Sequence, residues 1–185
     1  MRRAVFFLFI VAAACQAQQP AGLENPWDVQ TILKKINQDN ADLKTLLDGL
    51  KPQQWVSQKG APTTYVLQWQ STEQQLHDIS VSSDQLAHKT DSLPLALDNY
   101  FRLEALDVTA RNIEQGARRY ADRASADKLT ELIARNFNDR ERFRQYLQDL
   151  ATSFEQTCKI ADEEAQRCRG IISKEPASSA RKSHK

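Results

Sequence analysis

Val29 to Leu50 reads VQTILKKINQDNADLKTLLDGL, and one line of residues through it, Val29, Leu33, Ile36, Asn40, Leu43, Leu47 and Leu50, advances in alternating steps of four and three. That alternation tracks the 3.6-residue turn closely enough to keep every member on one side of a helix, the seam a helix presents to its neighbours in a bundle. Ile32 and Leu46 widen the stripe. Asn25 and Pro26 supply a start, because proline fits the first helical turn, and Gly49 with Pro52 supplies a stop. A helix cannot bury such a stripe alone, so the segment implies further helices of the same kind.

Three more seams follow. The second, through Tyr65, Trp69, Thr72, Leu76, Ile79, Ser83 and Leu86, is more polar and is expected to weaken after Val81. The third runs through Leu103, Leu106, Ala110, Ile113, Ala117 and Tyr120, with Leu97 and Phe101 expected on its buried side and Asp122 to Ser125 closing it. The fourth is the longest: Leu129, Ile133, Asn136, Arg140, Phe143, Leu147, Leu150, Phe154, Thr157 and Ala161, with continuation toward Cys168. Between the first two seams, Lys51 to Pro62 loses its period and carries Pro52, Gly60 and Pro62, which predicts a loop with Trp55 and Val56 capping the bundle end. Asp91 or Ser92, with Pro94 after it, marks a short turn and a new start.

The expected fold is therefore all-α: an antiparallel up-and-down four-helix bundle over residues 26–170 with a long C-terminal helix. Only five glycines and six prolines in 185 residues agree with that class. An unbroken fourth helix would exceed about 60 Å at 1.5 Å per residue, against about 36 Å for the first, so its end should overhang the bundle or bend. Asn40 and Asn136 interrupt apolar seams and are expected to set register, with ligand binding as the alternative.

Met1 to Ala17 predicts an export signal: Arg2 and Arg3 supply the positive end, Ala4 to Val11 the apolar stretch, and Ala12 to Ala14 the small residues before a cut between Ala17 and Gln18. The apolar run from Ala4 to Ala14 is eleven residues, too short for the roughly 18 that a spanning helix needs. Ala12-Ala13-Ala14-Cys15 resembles a bacterial lipobox, which implies lipidation of Cys15, although Ala12 stands where that pattern has a leucine or similar residue. Secretion is thus expected ahead of a lipid anchor, and Cys15 is the one route to a membrane. Residues 18–25 read as a short linker, and residues 171–185, Ser-rich with Arg181, Lys182 and Lys185, as a disordered basic tail.

Loss of Arg2 and Arg3 takes the formal charge from +1 to −1, leaving no basic field to draw nucleic acid. Cys158 and Cys168 are then the remaining pair in an oxidising compartment, where a disulfide is the default. Ten residues of helix span about 15 Å, however, and a disulfide holds Cα atoms about 4.4–6.8 Å apart. Helix and internal bridge exclude each other, which leaves a bend, interchain pairing or free thiols.

No Glu-x-x-His pair, HExxH, GxSxG or CxxCH occurs in the chain. His77 and His88 would share a helix face but stand about 16 Å apart. Arg135 to Arg144 has Glu131 and Asp139 four residues either side of Arg135 and reads as a solvated, ion-paired face, as do Glu163 and Glu164. The sequence thus predicts no catalytic, cofactor or metal site. It predicts an exported, non-enzymatic bundle in the periplasm or envelope that meets an unidentified protein partner, a second copy of itself included. The contact candidates are Phe154, Ile160, Ile171 and Ile172 on the overhang. A small-molecule or metal-binding bundle, suggested by Trp55, Tyr65, Trp69 and His77, and a chaperone-like envelope protein are the alternatives. The mass of the alkylated protein taken from its native envelope should begin at Gln18; a start at acylated Cys15 would mean an anchored lipoprotein, and a start at Met1 would end the export reading.

Overall fold

Val29, Leu33, Ile36, Leu43 and Leu47 are each at most 2 % exposed, so the first seam is the buried face of α1 (Pro26–Leu50) in a computed structural model that describes residues 26–173. Each such Leu or Ile contributes about 1.5–3 kcal/mol by leaving water. The signal segment, Cys15, the Ala17–Gln18 junction, the 18–25 linker and the tail beyond residue 173 lie outside the described residues.

The stretch from Lys51 to Pro62 is not a loop. Lys51, at φ 48° in the left-handed region, reverses the chain, and α2 (Pro52–Lys59) follows with proline in its first turn. Gly60, at φ 67°, ends it, a conformation that a Cβ would strain. Trp55 caps the bundle end as expected: it is buried, stacks on Tyr120 at 6.5 Å between ring centroids and meets Tyr65 edge-on at 6.1 Å.

The remaining helices are α3 (Thr64–His88), α4 (Leu93–Tyr120) and α5 (Arg123–Ile172). α3 does not weaken after Val81, because Ser82 and Ser83 accept hydrogen bonds from Asn99 Nδ2 on α4, at 3.1 and 2.9 Å. The start of α4 departs from expectation. Leu97 and Phe101 are exposed, and Ala96 and Asn99 are fully buried instead, since stepping back from Leu103 by four and then three lands on them. Asp122 to Ser125 opens α5 instead of closing α4: the Asp122 carboxylate accepts from the Ser125 backbone N–H at 2.8 Å, an N-cap. Tyr146 on α5 donates its hydroxyl to the Thr90 carbonyl and pins the α3–α4 turn.

α1 packs on α3 and α5, and α4 packs on the same two, which places α1 and α4 on one diagonal of a four-helix bundle. Short links at 89–92 and 121–122, and the reversal through α2, make the successive long helices antiparallel. Three of them have 25 to 28 residues and α5 has 50, so α5 runs on as one continuous helix beyond its neighbours, taking Ile171 and Ile172 into the helix.

Gly116 lies where α4 passes the Trp55, Tyr65 and Tyr120 cluster. A Cβ there would stand 2.6 Å from Tyr65 Cε1 and 3.1 Å from Trp55 Cζ3. Gly116→Ala should therefore cost about 1–3 kcal/mol in urea unfolding despite the better helix propensity of alanine. Gly49→Ala, with nothing within 4 Å, should hold or raise stability. Equal effects would show that the ring cluster yields freely.

Candidate functional site

Continuation of α5 beyond its neighbours strips its seam of cover. From Phe154 through Arg169 every residue is exposed. Phe154 is 54 % exposed, Ile160 61 %, Ile171 62 % and Ile172 70 %, so all four contact candidates stand in the open on a rod about 28 Å long. Phe154, Ala161 and Cys168 repeat at seven-residue intervals in line with the buried Leu150, and Cys158, Ala165 and Ile172 flank them on one side. Ile160 falls about a quarter-turn away. Cys158 and Cys168 are free and exposed on an unbroken helix, so an internal bridge is excluded by their separation of about 15 Å.

A second polar arrangement lies inside the bundle, where α1 meets α5. Arg135 to Arg144 is not wholly a solvated face, because Asp139 and Arg140 are buried. Asp139 turns toward Asp39, itself 1 % exposed, and Lys35 serves both: it pairs with Asp39 and lies 3.7 Å from Asp139 Oδ2. Arg135 pairs with Glu131 as expected, at 3.2 Å, but its other partners are Asp39 and Asp42 on α1, each at 3.4 Å. Arg140 reaches across to α4, 3.1 Å from Glu104 and 3.7 Å from Asp107. Burial pushes the Asp139 carboxyl up to about 6, aided by its hydrogen bonding to Asp39. Burial acts on Asp39 in the same direction, yet Lys35, Asp139 and Arg135 together hold it below its ordinary value. Below about pH 6 Asp139 therefore keeps a proton while Asp39, beside Lys35 and Arg135, is the anionic member of the pair.

Asn40 is buried with neither amide atom paired in the protein, and Asn136 joins Arg140 around a void of about 10 Å³ between α1, α4 and α5. That volume is the size of about one water molecule. The void beside Asn136 is thus too small for a ligand larger than water.

Of the aromatic and histidine candidates, the fold brings Trp55 and Tyr65 together and gives Trp69 and His77 other surroundings. Trp69 donates from Nε1 to the Leu47 carbonyl at 3.0 Å, Tyr65 is held by Trp55 and Tyr120, His77 is exposed, and the His88 ring nitrogen Nδ1 meets the Asp84 carbonyl at 2.7 Å. Among the described residues no group of three or more His, Cys, Asp or Glu is placed to hold a metal, and no helix is long and apolar enough to cross a membrane. A wide concavity of about 310 Å³ beside Trp55, Lys59, Tyr120 and Asp122 has the volume of a small-ligand site. Its two rings already stack on each other, and Lys59 donates to the Tyr120 carbonyl at its rim.

The sign of the pH effect follows from the raised Asp139. Between its ordinary value near 3.8 and about 6, the folded chain keeps a proton that the unfolded chain releases, so this group's stabilisation is lost as pH rises through about 6. Asp39, shifted down, acts oppositely and only at lower pH. Asp139→Asn keeps a donor for Asp39 without the second charge. Its melting temperature should stay nearly flat from pH 5 to 7.5, while the native chain's falls, with a gain of about 1–3 kcal/mol at pH 7.5. Parallel curves would show that Asp139 is ionised throughout.

No family model, curated protein or solved structure matches this chain, so only its own residues speak to what it does.

Proposed function

We propose that this is an exported, non-enzymatic helical bundle that acts through protein contacts in the periplasm or cell envelope, with the α5 extension as its contact surface. The observation that carries the reading is the exposed seam from Phe154 to Ile172, which continues the line of the buried core beyond the last helix able to cover it. Apolar stripes of this kind on a helix mark a place where another helix or chain packs. The signal-like start, Met1 to Ala17, supports the compartment. The charged groups where α1 and α4 meet α5, the buried Asp39 and Arg140 with the half-exposed Lys35 and Arg135, pair with one another and with neighbouring carboxylates, an arrangement suited to holding helices together.

A photo-crosslinking side chain placed at Phe154 and, separately, at Val108, which is 61 % exposed on α4, tests the surface in the native envelope. Position 154 should give a discrete adduct at least several-fold stronger than position 108. Equal labelling would remove the contact role, a smear of many adducts would favour the chaperone-like alternative, and turnover of a substrate abolished by one side-chain change would replace the reading with an enzyme.

A further inference from the structure

We propose that the occupant of the α5 extension is a second copy of this chain, docked antiparallel over residues 154–172 and closed by two symmetric disulfides, Cys158 of each copy to Cys168 of the other. The inference rests on the reading of the extension as the contact surface and names the partner it takes.

The pattern is self-complementary. Phe154, Cys158, Ala161, Ala165, Cys168 and Ile172 advance in steps of four, three, four, three and four, alternating the two core positions of a heptad. When two antiparallel helices pair about Glu163, each layer joins unlike core positions: Phe154 with Ile172, Cys158 with Cys168, and Ala161 with Ala165. The exposed stretch from Phe154 to Ile172 is centred on that same residue, as are the two cysteines. The overhang is therefore as long as the paired region, and the two bundles fall at opposite ends of one rod without overlapping. An interface that maps onto itself in this way closes as a two-fold dimer.

Packing and chemistry agree. Alanine in the two central layers lets the helix axes approach toward the lower end of the usual spacing of about 8–10 Å, and that close approach suits the Cβ separation of about 3.5–4.5 Å in a disulfide. The helices bury on the order of 1,000 Å² in all, at the small end for a specific interface, so covalent closure decides whether the pair persists. Glu155 of each copy comes beside Arg169 of the other, while the Asp162 and Glu164 carboxylates face their own mates across the axis. Exposed pairs of either sign are weak, and they leave the seam and the disulfides to hold the dimer. Each bond converts two thiols to a disulfide and passes two electrons and two protons to an oxidant of the disulfide class, which leaves as two thiols. Within one chain the same bond is barred by the unbroken helix.

The full chain, expressed through its own leader in a Cys15→Ser background, tests this with oxidised glutathione as oxidant. Non-reducing electrophoresis and intact mass should show a dimer that dithiothreitol returns to monomer. Cys158→Ser and Cys168→Ser should each give no covalent dimer alone, because every remaining thiol faces a serine. Their mixture should give a singly bridged heterodimer at least tenfold above either variant, with circular dichroism melts confirming that both fold. A covalent homodimer from either variant means a parallel or shifted pairing and overturns the proposal. A wild-type chain that stays monomeric, or carries only glutathione adducts, overturns it too. In that case a surviving Phe154 crosslink to another protein leaves the contact reading standing, whereas loss of both ends both.

Discussion

Cover for the α5 seam is the constraint on which the rest of the molecule depends. Inside the bundle, Leu129, Ile133, Phe143 and Leu150 are buried by α1 and α4, and the four-and-three spacing that buries them does not stop where those helices stop. The extension stays helical because the costly first turn is already formed within the bundle and each further residue adds only propagation. Its Glu, Gln, Lys, Arg and Ala residues favour that outcome. Its seam, by contrast, forgoes the roughly 1.5–3 kcal/mol that each buried large apolar side chain would contribute. A helix that is locally stable but laterally unsatisfied is the kind of surface on which the proposed partner would pack.

Periodic residues were legible in the sequence, and non-periodic ones were not. The α1 seam could be read from Val29 to Leu50 because three heptads repeat the same spacing, and the buried part of the α5 seam for the same reason. α2 has barely two turns, too few to show a period, and its Pro52 and Gly60 punctuate loops as readily as helices. At the start of α4, the bulk of Leu97 and Phe101 outweighed the step arithmetic that leads from Leu103 back to Asn99 and Ala96. The fold buries the polar residue there because Ser82 and Ser83 on α3 accept from Asn99. The carboxyl pair was hidden more deeply. Asp39 has Lys35 four residues before it and Asp139 has Arg135, which is the pattern of an exposed ion pair, and spacing within one helix cannot show that two carboxylates on different helices meet. The available signal was adjacency: Asp39 precedes seam residue Asn40, and Asp139 precedes seam residue Arg140. The overhang was legible from helix length alone, but its symmetry about Glu163 acquires meaning only once α5 is continuous and bare from Phe154 onward.

The buried polar residues and the exposed seam are linked by register. An apolar seam alone permits α5 to slide by one heptad, about 10.5 Å, with every Leu and Phe still on the inner face. The polar contacts do not permit it. Lys35 reaches both Asp39 and Asp139, Arg135 reaches Asp39 and Asp42, and Arg140 reaches Glu104 and Asp107, so a shift would leave the buried Asp39 and Arg140 without partners, which is costly, while the pairs with exposed members would add little. A more hydrophobic layer at these positions would be as stable or more so, but it would no longer measure how far α5 projects. Since α5 is buried up to Leu150 and exposed from Phe154, a slip in one direction would cover Phe154 and in the other would bare core. The charges inside the bundle thereby fix the length of the surface outside it.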